Sequence, residues 1–389
     1  MKSQLVFNIF IVLLYLCTLV SLLTAAEIGE TSCRYLGEME KDGQKCREDV
    51  VKVELLPPKC TSFVYNGVTC KPSYRIEFND VMYGLERLRT LLNFDKPAKN
   101  VYLFYSHGYT IDWHNMLSKG DFKLVSKIVH DFVQKYRVKG LILEGIDHAY
   151  ENKTVGDMYQ NLTDYVNTIK GDNPNLEIGF YLSARTFIAF ERNKARNSTN
   201  DEIDDGDDGV STDNDDCYKP PYFDFSKMNS IMDFYLIEFH TFNKCTPDLL
   251  RGGITPLESS NSYIYSLNNF AALLANSTID KEKLYFEFLI SPIPLTNEIG
   301  NFPNCEISYN EYCENEDDKK SKFCADDSEA LYQKGNFTQT YAKGFIGMYI
   351  DLVDRDNNCH CGKYMAFDMM VKGYNGETDP KDCEPLQSF

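Results

Sequence analysis

Val125, Ile128, Val129, Phe132 and Val133 recur at helical spacing between Phe122 and Tyr136, which predicts an amphipathic helix over that stretch. Val138 to Asp147 is then apolar and β-branched before it ends in acidic residues, so the helix feeds a buried parallel strand. Seven more segments read as strands: Cys33 to Gly37, Cys60 to Gly67, Val101 to Ser106, Leu176 to Ser183, Ile231 to Phe239, Lys283 to Leu289, and the run that begins at Lys343. They alternate with helical patterns such as Val155 to Ile169. That order predicts a repeating βα architecture, whose chemistry sits just past the carboxyl ends of the strands.

Two tracts interrupt the alternation. Residues 192–217 are rich in Asn, Ser, Gly and Asp, with nine acids between Asp201 and Asp216, and read as a solvated surface loop. A calcium loop is the sharper reading of Asp204 to Asp208, but the EF-hand spacing and closing glutamate are missing. Residues 291–343 form a second insertion, between the seventh and eighth strands.

A length of 389 residues suits one barrel with insertions. A formal charge of −18 argues against nucleic acid or an anionic membrane surface as partner. Residues 1–26 read as a secretory signal, an apolar run from Leu5 to Leu23 with cleavage near Ala26; an uncleaved anchor is the alternative. Of thirteen cysteines, removing Cys17 with that segment leaves an even number, as expected of a disulfide-bonded extracellular chain. Asn152, Asn161, Asn197, Asn276 and Asn336 each begin an Asn-x-Ser/Thr sequon.

The chain resembles the family 18 chitinases and chitinase-like proteins. The family signature Asp-Gly-x-Asp-x-Asp-x-Glu falls without a gap on Lys139 to Ile146, where only the glycine and one acid, Glu144, remain. Cys60-Thr61 is similar to the family's second strand, and Lys343 to Asp356 to its eighth. Ile307 to Cys313 resembles part of its small α+β insertion domain. The resemblance implies a (β/α)8 TIM barrel with a short α+β insertion between strands seven and eight. It also implies a Cys33–Cys60 disulfide and a bond from Cys313 to Cys359 or Cys361. Cys46 has no counterpart in the family, and Cys70 is a candidate partner for it.

Family 18 hydrolysis uses the final glutamate to protonate the leaving oxygen, while the substrate's acetamido group attacks the anomeric carbon. General acid catalysis supplies on the order of 10²–10⁴ in rate, and isoleucine has no proton to give. The donor position is Ile146, the middle aspartate is Ile142, the orienting tyrosine is His240 and the floor tryptophan is Asp351. Strand alternation places Ile142, Glu144 and Ile146 on one inward face. Catalysis is therefore expected to be lost. Tyr109, Trp113, Glu144, Glu238, His240 and Asp351 remain as ligand-binding candidates, with His107 and His148 nearby.

The acids and histidines are expected to form a satisfied polar plug with Arg185 or the histidines as partners, or alternatively a metal site or a newly evolved sugar or small-molecule pocket. No cofactor is expected. The expected role is a secreted chitinase-like protein that binds a chitin-like oligosaccharide or a protein partner. The rivals are a hydrolase with a displaced acid, Glu144 or Asp147, a metal-dependent hydrolase, and an interaction scaffold without sugar affinity.

Overall fold

The computed structural model describes residues 28–35, 40–41, 44–45, 52–79, 81, 83–94, 100–108, 110–146, 155–199, 224–250, 252–295, 308–314, 321–348, 359, 361–377 and 383. Eight parallel strands close into a ring: β1 (Thr31–Tyr35), β2 (Ser62–Cys70), β3 (Asn100–Ser106), β4 (Gly140–Leu143), β5 (Glu177–Ser183), β6 (Phe234–Glu238), β7 (Leu284–Leu289) and β8 (Gly344–Met348). Closure is made by β1, in which Cys33 stands opposite both Gly347 of β8 and Phe63 of β2. These are the eight strands expected from the hydrophobic pattern, with their ends moved by a few residues.

Around the ring lie α1 (Gly84–Leu92), α2 (Thr110–Lys119), α3 (Phe122–Tyr136), α4 (Val155–Asp172), α5 (Ala184–Thr199), α6 (Leu267–Asn276), α7 (Ser328–Tyr341) and α8 (Met365–Tyr374). The fold is a (β/α)8 barrel. Asp121 caps α3 by accepting from the Leu124 amide at 3.0 Å, and the helix ends at Arg137, whose backbone is left-handed at φ 53°. Gly335 and Gly373 let α7 and α8 touch backbone to backbone: a Cβ at either would lie within 2.0 Å of a carbonyl oxygen of the facing helix.

Alternation divides the core in two. Val64, Tyr102, Phe104, Ile142, Tyr181, Phe234, Leu236, Tyr285 and Ile346 form one cluster, which fills the ring. Their strand neighbours, among them Leu103, Leu141, Leu143, Phe180, Ile237 and Phe286, pack outward against the helices. At the lower end of the ring Phe234 meets Tyr102 and Tyr285 edge to face, at 5.6 and 6.1 Å. The interior is packed, not a pore.

Three sequence expectations change. The insertion before β8 is narrower than 291–343, because α7 from Ser328 is a barrel helix packed on α8; what precedes it includes the pair Ile293–Pro294 with Phe323–Cys324 and the helix Tyr309–Glu314. The acidic tract begins as helix, since α5 runs to Thr199; residues 200–217 lie outside the described residues. Cys70 is an unpaired buried thiol, so it does not partner Cys46, which itself lies outside the described residues.

Among the described residues the disulfides are Cys33–Cys60, Cys245–Cys324, Cys313–Cys359 and Cys361–Cys383. The resemblance thus gave the first pair, and Cys313 takes Cys359, leaving Cys361 to Cys383. Among the sequons, Asn276 and Asn336 are exposed and Asn161 is half-buried; Asn197 falls in the last turn of α5 and Asn152 lies outside the described residues.

Candidate functional site

At the upper end of the ring the apolar filling gives way to charge. Arg34 of β1 directs Nη1 at both carboxylate oxygens of Glu287 on β7, at 3.2 and 3.0 Å, and its guanidinium lies 4.1 Å above the Phe104 ring. Tyr181 of β5 donates to the same carboxylate at 3.1 Å. Glu287 is 0% exposed, a carboxyl group inside the barrel that these two partners hold. Burial first, then the charges of Glu287, Glu238 and Glu144, push the Tyr181 hydroxyl well above its ordinary range. It therefore acts as a donor, not as an ionised group.

Beside this pair Glu238, the last residue of β6, folds back on the turn after it. It accepts from the amides of His240 and Thr241 at 2.7 and 3.2 Å and from the Thr241 hydroxyl at 2.7 Å. His240 Nδ1 sits 2.6 Å from Oε2 in an ion-pair contact, although not along the line of a good hydrogen bond. Burial alone would raise Glu238, but His240 and Thr241 outweigh it and hold the carboxyl below the usual range. Burial alone would lower His240, but Glu238 outweighs it and raises the imidazole. The result is an anchored carboxylate beside a protonatable ring that is 29% exposed.

Three site expectations are corrected. Ile142 does point into the ring, but Ile146 does not: β4 stops at Leu143, Gly145 turns the backbone to φ 83°, and Ile146 packs, fully buried, in the cluster beneath the helices. Trp113, which the sequence places in the loop after the third strand, is not in a loop. It lies on α2, wholly buried, with Nε1 donating to the Glu144 carbonyl at 2.8 Å, and an indole with no open face cannot stack on a sugar. His107, one residue past the carboxyl end of β3, is likewise turned into that outer layer, 4.5 Å from the Trp113 ring.

Tyr109, Asp147, His148 and Asp351 lie outside the described residues. Arg185 is placed 5.9 Å from the Tyr265 ring. The partner sequence reading did not find is Arg34, with Tyr181 and Glu287. Glu287 was visible as the one charge within an otherwise apolar strand, Leu284–Leu289. Among the described residues no three His, Cys, Asp or Glu side chains gather as a metal-binding group.

His107 anchors a second buried network. Its Nδ1 faces the Cys70 carbonyl at 3.2 Å and its Nε2 the Tyr165 hydroxyl at 2.9 Å, while Tyr165 donates to Tyr105 at 3.1 Å. Burial pulls the imidazole down to about 4, against the Cys70 carbonyl contact. The unfolded chain binds a proton near 6.5 and the folded one only near 4, so this contribution is complete above 6.5 and is lost as pH falls through that window. It amounts to roughly 3 kcal/mol. Between pH 7 and 4.5 the wild type is expected to lose more stability in urea than His107→Gln; parallel losses would show that the ring does not titrate this way.

In fold, the closed eight-stranded parallel barrel is similar to solved structures of chitinases and of a chitinase-like protein. The Ostrinia furnacalis Group IV chitinase superposes with a TM-score of 0.62 at 14% identity, over 89% of this chain and 100% of that one. The immunomodulatory active chitinase of Trichuris suis gives 0.61 at 13%, and human YKL-39, described as a pseudo-chitinase with retained chitooligosaccharide binding, gives 0.59 at 12%. Both cover 89% of this chain and all of theirs. No protein-family model matches the sequence, and no curated relative does.

Proposed function

We propose that this chain is a secreted chitinase-like protein without hydrolytic activity, which binds a chitin-like oligosaccharide at the upper end of its barrel. The carrying observation is Ile146: the proton-donor position of the resembled signature holds a hydrocarbon, and that hydrocarbon is buried beneath the helices. The Arg34–Glu287 pair supports the same reading, since it occupies the upper end of the ring with groups already satisfied by each other. YKL-39, a barrel of the same fold described as a pseudo-chitinase, gives precedent for binding without turnover. Secretion is supported by four disulfides among the described residues and by the apolar leader in the sequence.

A second reading, display of charged loops to a protein partner with no sugar affinity, draws support from the burial of Trp113, which removes one aromatic wall. Calorimetric titration with N-acetylglucosamine oligomers separates the two. The first reading expects one saturable site, weakened at least tenfold by Tyr109→Ala, in line with the loss of one stacking face. Heat no different from buffer dilution would leave only the scaffold reading.

A further inference from the structure

The opposite end of the barrel carries a feature the upper end does not explain. Between the ends of α1 and α3 and the starts of β3, β4 and β5 lies an open cavity of about 830 Å³, within the range of small-ligand sites. Arg89, Lys135, Arg137 and Lys139 line it, against a single lining carboxylate among the described residues, Asp172. Lys139 is taken by Glu177 at 3.0 Å, and Asp172 accepts from the Ser126 hydroxyl at 2.6 Å. Arg89, Lys135 and Arg137 have no carboxylate partner among the described residues. In a chain of formal charge −18, three such cations around one cavity are a local reversal of sign.

Helix polarity accounts for Arg89 and Lys135, which stand in the last turns of α1 and α3. The same polarity favours a cation at Arg137, but it does not explain the backbone there. That residue ends α3 in the left-handed conformation, φ 53°, where glycine is the favoured residue and a side chain costs about 1 kcal/mol. A strained arginine, exposed and lining the cavity, is what a site for negative charge would retain. We propose that this lower cavity binds a small multivalent oxyanion, carrying carboxylate or phosphate groups, with Arg137 and Arg89 as its principal ligands.

The site is independent of any sugar binding at the upper end, and its test is separate. Calorimetry at low salt with inorganic pyrophosphate and with citrate is run on the wild type, Arg137→Gly and Arg89→Ala. The expected result is one site for at least one of the two anions, weakened about tenfold by either substitution, as the loss of one charge-assisted contact implies. Arg137→Gly is also expected to melt no lower than the wild type without anion, because glycine relieves the left-handed strain. Binding of citrate alone identifies carboxylate chemistry, and of pyrophosphate alone phosphate chemistry. Failure of both to bind, or binding that neither substitution weakens, overturns the proposal.

Discussion

Ile146→Glu is expected to cost about 3–5 kcal/mol of stability and to produce no hydrolysis, although it rebuilds the acid of the resembled signature. The new carboxylate would not stand at the ring's upper end. Ile146 is in the outer cluster with Trp113 and Tyr165, so the charge would enter a largely hydrocarbon layer. It would be held protonated or would displace α2 and α4. Urea unfolding and release of a chromogenic N-acetylglucosamine oligomer check both halves. A variant as stable as the wild type that cleaves the oligomer would mean that β4 ends differently.

Arg34→Met is the second large effect. Glu287 loses both contacts to Nη1 and keeps Tyr181, so a buried carboxylate stands nearly alone at a cost of about 3–5 kcal/mol. The double variant Arg34→Met with Glu287→Leu should recover most of that loss, because an apolar pair of similar size removes the uncompensated charge. The midpoint of urea unfolding for the three proteins measures it. A single variant that loses less than about 1 kcal/mol, in the range of an exposed pair, would mean that water reaches Glu287.

The fold was legible because a barrel strand buried on both faces announces itself as a short apolar run, and seven loops of varied length do not blur that signal. Leu284–Leu289 and Glu177–Ser183 show it most plainly, each buried almost throughout. The site was less legible because it depends on where strands stop. Alternation carried from Ile142 would place Ile146 inward, but it holds only while the backbone stays extended, and Gly145 at φ 83° ends it.

Trp113 was misplaced for a related reason. The stretch after β3 reads as loop from its polar start, yet α2 begins at Thr110 and turns the indole into the core. The pairing of Cys313 stayed open between Cys359 and Cys361 because both stand two positions apart in one segment, and spacing cannot separate them. Arg34 could not be assigned to Glu287 from sequence, since they are 253 residues apart and meet only when the ring closes.

The most direct measurement is product release from a fluorogenic N-acetylglucosamine trimer by the purified, disulfide-intact protein, with and without chelator. No release above the uncatalysed blank is expected in either condition. Release that disappears on Glu144→Gln, or on addition of chelator, would contradict the loss of hydrolytic capacity.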